Sequence, residues 1–196
     1  MQSHENRQAD VVIVGGGVAG LSCAIFTAKA GLRTIILDSP DSQLRGVKQV
    51  WNFPGFEQGI AGADWLASAR TQAVLQGAVV REEKVVALEL QARPYTAKTE
   101  TGNTYEAPFL VLAVNLGSEL LATQGLELAV NEYVPSKKIR YVTEAQSNGQ
   151  TSREGVFVAG LLANLPSQSV IAAGQGAFVG VQIASAFGQK PFMWHD

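Results

Sequence analysis

Cysteine and histidine are scarce in this sequence. It contains one cysteine, Cys23, and two histidines, His4 and His195. A single cysteine excludes an internal disulfide and a Cys-x-x-Cys redox pair. Two histidines far apart in sequence indicate no metal site. Cys23 falls one turn into a predicted helix, where we expect a small buried hydrophobic residue rather than a redox thiol.

Charge and targeting segments are also sparse. Charged residues make up 16% of the chain and the net charge is −2, against about 25% charged residues in an average globular chain. The sequence has no basic patch of the kind that indicates nucleic acid binding. No apolar run reaches the roughly 18 residues of a membrane-spanning helix, and the polar start MQSHENRQAD lacks the apolar core of a signal peptide. We therefore expect a soluble, cytoplasmic protein with neither a nucleic acid nor a membrane as partner.

What the sequence does contain is a β-α-β unit. Asp10–Gly15 is short, apolar and β-branched, as in a buried strand. The pattern over Val18–Ala30 becomes helical, and Gly31 follows as a C-terminal cap. Leu32–Leu37 is a second strand, closed by Asp38. The two strands should pair in parallel through a right-handed crossover.

A phosphate-binding motif lies inside this unit. VVIVGGGVAG holds G-x-G-x-x-G at Gly15, Gly17 and Gly20. The first glycine permits a tight turn, the second lets the backbone approach a pyrophosphate, and the third lets helix and strand pack closely. Asp38 is placed to hydrogen-bond an adenosine ribose. The motif by itself does not distinguish FAD from NAD.

The remaining pattern predicts an α/β fold in one domain: an FAD-binding Rossmann-like parallel sheet with a small antiparallel layer. We expect a flexible N-terminus over residues 1–9 and a C-terminal tail over residues 188–196. The predicted elements are a helix over Asp64–Gln76, antiparallel strands over Val79–Leu90 and Tyr95–Glu100, a buried strand over Phe109–Val114, a strand at Val156–Val158 and a helix from Ser169 to Phe187.

Several further segments, in the right order, resemble thioredoxin reductase flavoproteins. They are SQL at 42–44, QVWNFPGF at 49–56, GADWLASARTQAVLQGA at 62–78, GVFVAG at 155–160 and SQSVIAAGQGA at 167–177. In that family an NADPH domain carrying a redox CxxC is inserted into the FAD domain. Only 37 residues separate Gly117 from Gly155 here, and they hold no glycine motif. The chain thus resembles the FAD domain alone, and it lacks the dithiol needed to reduce thioredoxin by itself.

The resemblance implies FAD as cofactor and assigns its contacts residue by residue. The implied contacts are Gly15, Gly17, Val18, Ala19, Gly20, Asp38, Gln43, Leu44, Val50, Asn52, Val85, Ala113, Gly160, Gln168 and Ser169. Two positions depart from the family: Asn115 replaces a glycine, and Leu161 replaces the aspartate that bonds the ribityl chain. Trp51 stands where the family usually has an acid, and it either stacks near the flavin or packs in the core or at an interface.

These observations predict an FAD-binding oxidoreductase, as a homodimer, that cycles electrons between an external donor and acceptor. The donor is a reduced protein, a thiol or a nicotinamide nucleotide. Two alternatives stay open: a flavin-binding electron-transfer subunit that needs a partner, and a degenerate domain that binds another nucleotide. Some relatives lay a C-terminal aromatic or histidine over the flavin of the other subunit. We therefore expect Trp194 or His195 to cover the flavin, across the dimer, as the catalytic-site residues.

Overall fold

A computed structural model describes residues 6–114 and 119–194 of the chain. Its strands are β1 (Asn6–Gln8), β2 (Val11–Val14), β3 (Thr34–Leu37), β4 (Val79–Arg81), β5 (Val85–Glu89), β6 (Tyr95–Thr99), β7 (Thr104–Ala107), β8 (Phe109–Leu112), β9 (Leu128–Val130), β10 (Arg140–Val142) and β11 (Val156–Val158). Its helices are α1 (Val18–Lys29), α2 (Gly62–Leu75), α3 (Glu119–Ala122) and α4 (Ser169–Gly188).

A five-stranded parallel sheet lies at the centre, in the order β11-β8-β2-β3-β4. The predicted β-α-β unit supplies β2, α1 and β3, with Val11 opposite Thr34. Strand β2 also pairs with β8 on its other side. Every residue of β2 is buried, which explains why its sequence is continuously apolar instead of alternating.

The second sheet has the order β1-β7-β6-β5, and it corrects one sequence expectation. The stretch Val79–Leu90 is not one strand: its first part is β4 of the parallel sheet, and its second part is β5, antiparallel to β6. Within the predicted flexible N-terminus over residues 1–9, which stays a prediction, β1 pairs in parallel with β7. Residues 1–5 lie outside the described range.

Helices α1 and α4 pack in backbone contact on one face of the central sheet. A Cβ at Gly176 would lie 2.1 Å from the Ala19 carbonyl oxygen, and one at Gly180 would lie 2.7 Å from that of Cys23. Only glycine permits this approach. Cys23 is fully buried, as predicted, and burial raises the pKa of its thiol far above the ordinary value.

Helix α4 also corrects the expectation that no apolar stretch reaches spanning length. It has 20 residues, with a mean hydropathy of 1.5 in its most apolar window, 33% of which is buried in the protein. Among the described residues it is the one helix that could cross a membrane by length and composition. Core helices of globular proteins meet the same criterion, so this single helix is weak evidence for a membrane span.

The segment between β8 and β11 is short and packs against the strand end instead of forming a separate domain. It contains α3 and the antiparallel pair β9–β10. The fully buried Asn131 donates its side-chain amide to the carbonyl oxygens of Leu161 and Leu165, each at 3.1 Å. These two hydrogen bonds hold the β9–β10 segment against the residues that follow β11.

Candidate functional site

The predicted cofactor residues meet in one cleft of about 960 Å³ along the carboxyl ends of the parallel strands. All of them except Gly20 line it: Gly15, Gly17, Val18, Ala19, Asp38, Gln43, Leu44, Val50, Asn52, Val85, Ala113, Gly160, Gln168 and Ser169. Gly20 lies behind the turn. Asn115, one of the two positions that depart from the thioredoxin reductase pattern, lies outside the described residues.

The glycine turn forms the middle of the cleft. Gly15 has φ +107°, and a Cβ there would be 2.5 Å from the Ala113 carbonyl oxygen. A Cβ on Gly20 would be 2.0 Å from the Gly15 carbonyl oxygen, so both positions require glycine. Helix α1 starts directly after Gly17 with no side-chain cap and no acidic residue in its first turn. Its first N–H groups and positive dipole end are therefore available to an anion.

Asp38 closes one end of the cleft. It is buried, and its Oδ1 accepts a hydrogen bond of 3.0 Å from the Gly16 backbone N–H. Its own backbone N–H donates to the Arg81 carbonyl oxygen at 2.9 Å. The carboxylate is thus fixed beside the glycine turn, and an ionised carboxylate can accept several more hydrogen bonds. This is the arrangement expected for a ribose contact.

A second acidic residue at this end, Glu83, was not predicted. Its carboxylate accepts hydrogen bonds from Thr99 (2.7 Å), Thr101 (3.0 Å), Asn103 (3.0 Å) and Tyr105 (2.7 Å). Burial raises the pKa of Glu83, but these four donors outweigh it and lower the pKa to about 2. Burial, and then the Glu83 carboxylate, raise the pKa of Tyr105. The donors lie on β6, on the turn that follows it and on β7, 16 to 22 positions after Glu83, so no local motif could have revealed the cluster.

The Glu83 cluster shapes the wall next to it. The turn that holds Glu83 leads directly into β5, where the pairing with β6 shifts register between Val85 and Ala87. Such a bulge re-aims the side chains around it. Val85 and Val86 both line the cleft, and Val86 is 50% exposed. An apolar ligand surface placed here would cover them.

Another part of the cleft wall consists of two loop segments and the start of α4. Val50 exchanges backbone hydrogen bonds with Ile60, at 2.8 and 3.1 Å. The Asn52 side-chain amide donates to the Gln168 side-chain oxygen at 2.5 Å, which joins the 50–52 segment to the N-cap of α4. The N-terminus of this 20-residue helix, with Ser169, thus begins on the cleft wall.

The cleft wall at the end of β11 is apolar, because two buried side-chain amides already hydrogen-bond to the backbone polar groups there. Gly160 has φ +72°, and its N–H donates to the Gln175 side-chain oxygen at 2.8 Å. The Leu161 carbonyl oxygen accepts from Asn131. The Leu161 side chain itself lines the cleft and is 8% exposed. Neither Gln175 nor Asn131 was predicted as a site residue. The one sequence signal for such a role was that Gln175 interrupts a run of small residues in α4.

The order of strands shows that the cleft fits FAD. Asp38 follows β3, the glycine turn follows β2, Ala113 follows β8 and Gly160 follows β11. With neighbouring strands about 4.8 Å apart, these positions span roughly 14 Å in the order ribose, pyrophosphate, ribityl. The Asn52–Gln168 pair also lines the cleft, at the start of α4, which the resemblance assigns to the flavin ring. The one poor match is Leu161, which offers no hydrogen bond to a ribityl hydroxyl.

Trp194, one of the two predicted catalytic residues, does not line this cleft of its own chain. Trp194 packs edge-on against Phe26, with ring centroids 5.7 Å apart, and the Lys29 ammonium lies 5.0 Å from its ring centre. It lines a separate groove between α1, α2 and α4. His195 lies outside the described residues. Coverage of a partner subunit's flavin by this tail stays a prediction.

Comparisons with known proteins point to the same cofactor. A family model described as an FAD binding domain matches residues 10–51. Thioredoxin reductase of Rickettsia prowazekii is 35% identical over 113 residues, which are 57% of this chain and 36% of that protein. Thioredoxin reductase of Borreliella burgdorferi is 32% identical over 116 residues, 58% of this chain and 35% of that protein. The chain thus spans about a third of the length of these relatives.

Solved structures show the same fold. A thioredoxin reductase from Gloeobacter violaceus matches 98% of this chain and 99% of its own chain, with a TM-score of 0.77 and 21% identity. Thioredoxin reductase from Giardia duodenalis matches 93% of this chain and 100% of its own, with a TM-score of 0.73 and 17% identity. At these identities the likeness concerns the fold alone.

Proposed function

We propose that this chain, an FAD-binding domain of the thioredoxin reductase type, works as an oxidoreductase that passes electrons between an external donor and an external acceptor. The observation that carries this proposal is a cleft lined by nearly all the predicted FAD contacts, in a chain with no redox dithiol. Cys23, the one cysteine of the sequence, is fully buried. The donor and the acceptor must therefore come from outside this chain.

The protein's own groups bind and orient the cofactor. The N–H groups at the start of α1 hold the pyrophosphate, and Asp38 accepts hydrogen bonds from the ribose. Asn52 and Gln168, joined by their hydrogen bond, fix the distance between the two walls of the flavin end. The N-terminus of α4 stabilises negative charge placed beside it. FAD, when bound, supplies the electron-transfer chemistry, and the chain supplies position and electrostatics.

We also propose a cytoplasmic homodimer. Support comes from exposed apolar side chains on α4 and the tail: Phe178 (52% exposed), Phe187 (50%) and Met193 (73%). Burial of such residues between two copies is a common way to cover them. Sedimentation of the purified protein should give twice the monomer mass of 20.8 kDa; a monomer at micromolar concentration would refute this part of the proposal.

The test begins with the absorbance spectrum of the purified protein and chromatography of its released ligand, which should be FAD. Flavin bleaching is then followed without oxygen after addition of NADH, NADPH or a small dithiol. Bleaching by any of them supports the oxidoreductase. Bound FAD that is reduced by light with EDTA as the electron donor, and not by NADH, NADPH or the dithiol, favours an electron-transfer subunit that needs a protein partner. A chain that neither carries nor takes up FAD refutes both.

A matched pair of variants separates cofactor binding from folding. Gly17→Ala is tolerated by the protein itself, because φ is −80° and the nearest atom to the new Cβ would be the Ser42 Oγ at 3.5 Å. It nevertheless intrudes where the backbone meets the pyrophosphate. Gly46→Ala, whose Cβ would meet nothing within 4 Å, is the control. We expect loss of FAD with Gly17→Ala alone, with unchanged unfolding of the FAD-free protein.

A further inference from the structure

Trp51 is the tryptophan whose placement the fold itself does not explain. Trp51 is 70% exposed, whereas Trp65 is 9% exposed and packs against Phe53 at 5.4 Å between ring centroids. Trp194 packs against Phe26 in the separate groove. Trp51 instead lies on the rim of the cofactor cleft. A large exposed aromatic at a binding cleft indicates a surface that is covered when the cleft is filled.

The residues on both sides of Trp51 are anchored. Val50 precedes it, is 5% exposed and is bound to Ile60 by two backbone hydrogen bonds. Asn52 follows it, and its side-chain amide donates to the side chain of Gln168, the N-cap of α4. The indole is thus carried between two anchored residues beside the start of α4, which the resemblance assigns to the flavin ring.

The surroundings of Trp51 favour a planar apolar ligand surface. Val47, 40% exposed, lines the same rim. Where the resemblance places an acid, this chain has an indole, so negative charge is absent from this position. A reduced flavin ring carries negative charge and is flat, and both properties suit an aromatic neighbour better than a carboxylate.

We infer that Trp51 contacts the flavin ring of bound FAD, shields it from water and is the positioning residue for that ring in its own chain. This inference rests on the proposed function, since it requires FAD in the cleft. Indole in contact with flavin quenches its fluorescence, because an electron passes from indole to the excited flavin and returns without net reaction. Bound FAD should therefore be dim in the wild type.

The experiment compares Trp51→Phe and Trp51→Ala with Trp194→Phe, which tests the predicted coverage by the tail, and with the control Trp65→Phe, all as the full chain loaded with FAD. Emission per bound FAD should rise several-fold in both Trp51 variants and stay unchanged in Trp65→Phe, because Trp65 is buried against Phe53 and does not line the cleft. FAD dissociation constants should stay near wild type in Trp51→Phe, because phenylalanine still stacks. They should rise about 2- to 13-fold in Trp51→Ala, which corresponds to the 0.5–1.5 kcal/mol of an aromatic contact.

The outcomes distinguish the two proposals. Bound FAD whose emission is the same in the wild type and both Trp51 variants overturns the inference and leaves the proposed function standing. A rise in Trp194→Phe alone also overturns it and assigns the quenching to the tail. A wild-type chain that takes up no FAD overturns the proposed function, and this inference with it. Circular dichroism of each variant confirms that the fold is intact before emission is compared.

Discussion

Replacing Gly176 by alanine should separate the two helices that build the cofactor cleft. The new Cβ would lie 2.1 Å from the Ala19 carbonyl oxygen, 2.7 Å from its carbonyl carbon and 2.8 Å from its Cα. All three atoms belong to backbone, so no side-chain rotation relieves the clash and one helix must move. Overpacking of this kind costs about 1–3 kcal/mol, and occasionally more.

Gly174, two residues earlier in α4, provides the matched control. A Cβ there would meet nothing within 4 Å, and the residue is exposed. Alanine in place of a helical glycine stabilises by roughly 0.5–1 kcal/mol. That gain applies to both variants, so the difference between them isolates the packing cost. In a chain of this size, 1–3 kcal/mol corresponds to a Tm lower by about 2–12 °C.

The assay is thermal and urea unfolding of Gly176→Ala and Gly174→Ala, each measured without FAD and again at saturating FAD. Because Ala19 lines the cleft, movement of α1 should also weaken FAD binding, so the stabilisation that FAD gives should shrink in Gly176→Ala. Equal unfolding midpoints for the two variants would refute the reasoning. A lower midpoint with unchanged FAD affinity would show that α4, and not α1, gives way.

Three further predictions follow from single residues. Leu161→Asp should restore a ribityl hydrogen bond and lower the FAD dissociation constant by about 5- to 150-fold, the equivalent of 1–3 kcal/mol; weaker retention than in Leu161→Asn would mean that the buried charge finds no partner. Glu83→Gln should lower the free energy of unfolding by about 1–3 kcal/mol at pH 7. The Glu83 pKa is lowered to about 2 in the folded protein. The stabilisation by the Glu83 carboxylate is therefore complete above about pH 4.5 and is lost as the pH falls toward 2. A difference in unfolding free energy between wild type and variant that does not shrink over that range contradicts this role of Glu83. Cys23 should react with an aromatic disulfide reagent only after unfolding, because it is fully buried; rapid labelling of the native protein would exclude the observed packing.

The β-α-β unit and its phosphate turn were predictable because their determinants are local. The glycine spacing, the strand before it and Asp38 after the next strand all lie within 29 residues. The end of the cleft around Gln168 was predictable only through resemblance. Its geometry depends on Asn52, 116 positions away in sequence, and no periodicity indicates such a contact.

The features that were missed share one physical cause, which is that tertiary contacts determine them. The apolar pattern over Val79–Leu90 fits a strand in either sheet, and only the turn at Glu83, with its donors from β6 and β7, separates β4 from β5. Asn131 looks like an ordinary loop residue until the returning chain places it beneath Leu161. A sequence pattern reports which side of an element is buried and not which partner covers it.

The close contact of α1 with α4 makes the cleft a bivalent receptor for the two halves of one ligand. Gly176 lets α4 pack against Ala19 at the start of α1. The start of α1 is the predicted site of the adenosine diphosphate half, and Ser169, the first residue of α4, is a predicted contact of the flavin half. When two sites are held at a fixed separation, the second half of a linked ligand binds at a high effective concentration. FAD should accordingly bind far more tightly than FMN or ADP alone. The same linkage explains why the chain can lack a hydrogen bond to the ribityl group. The ribityl group connects the two halves of FAD and is held in place when both halves are bound.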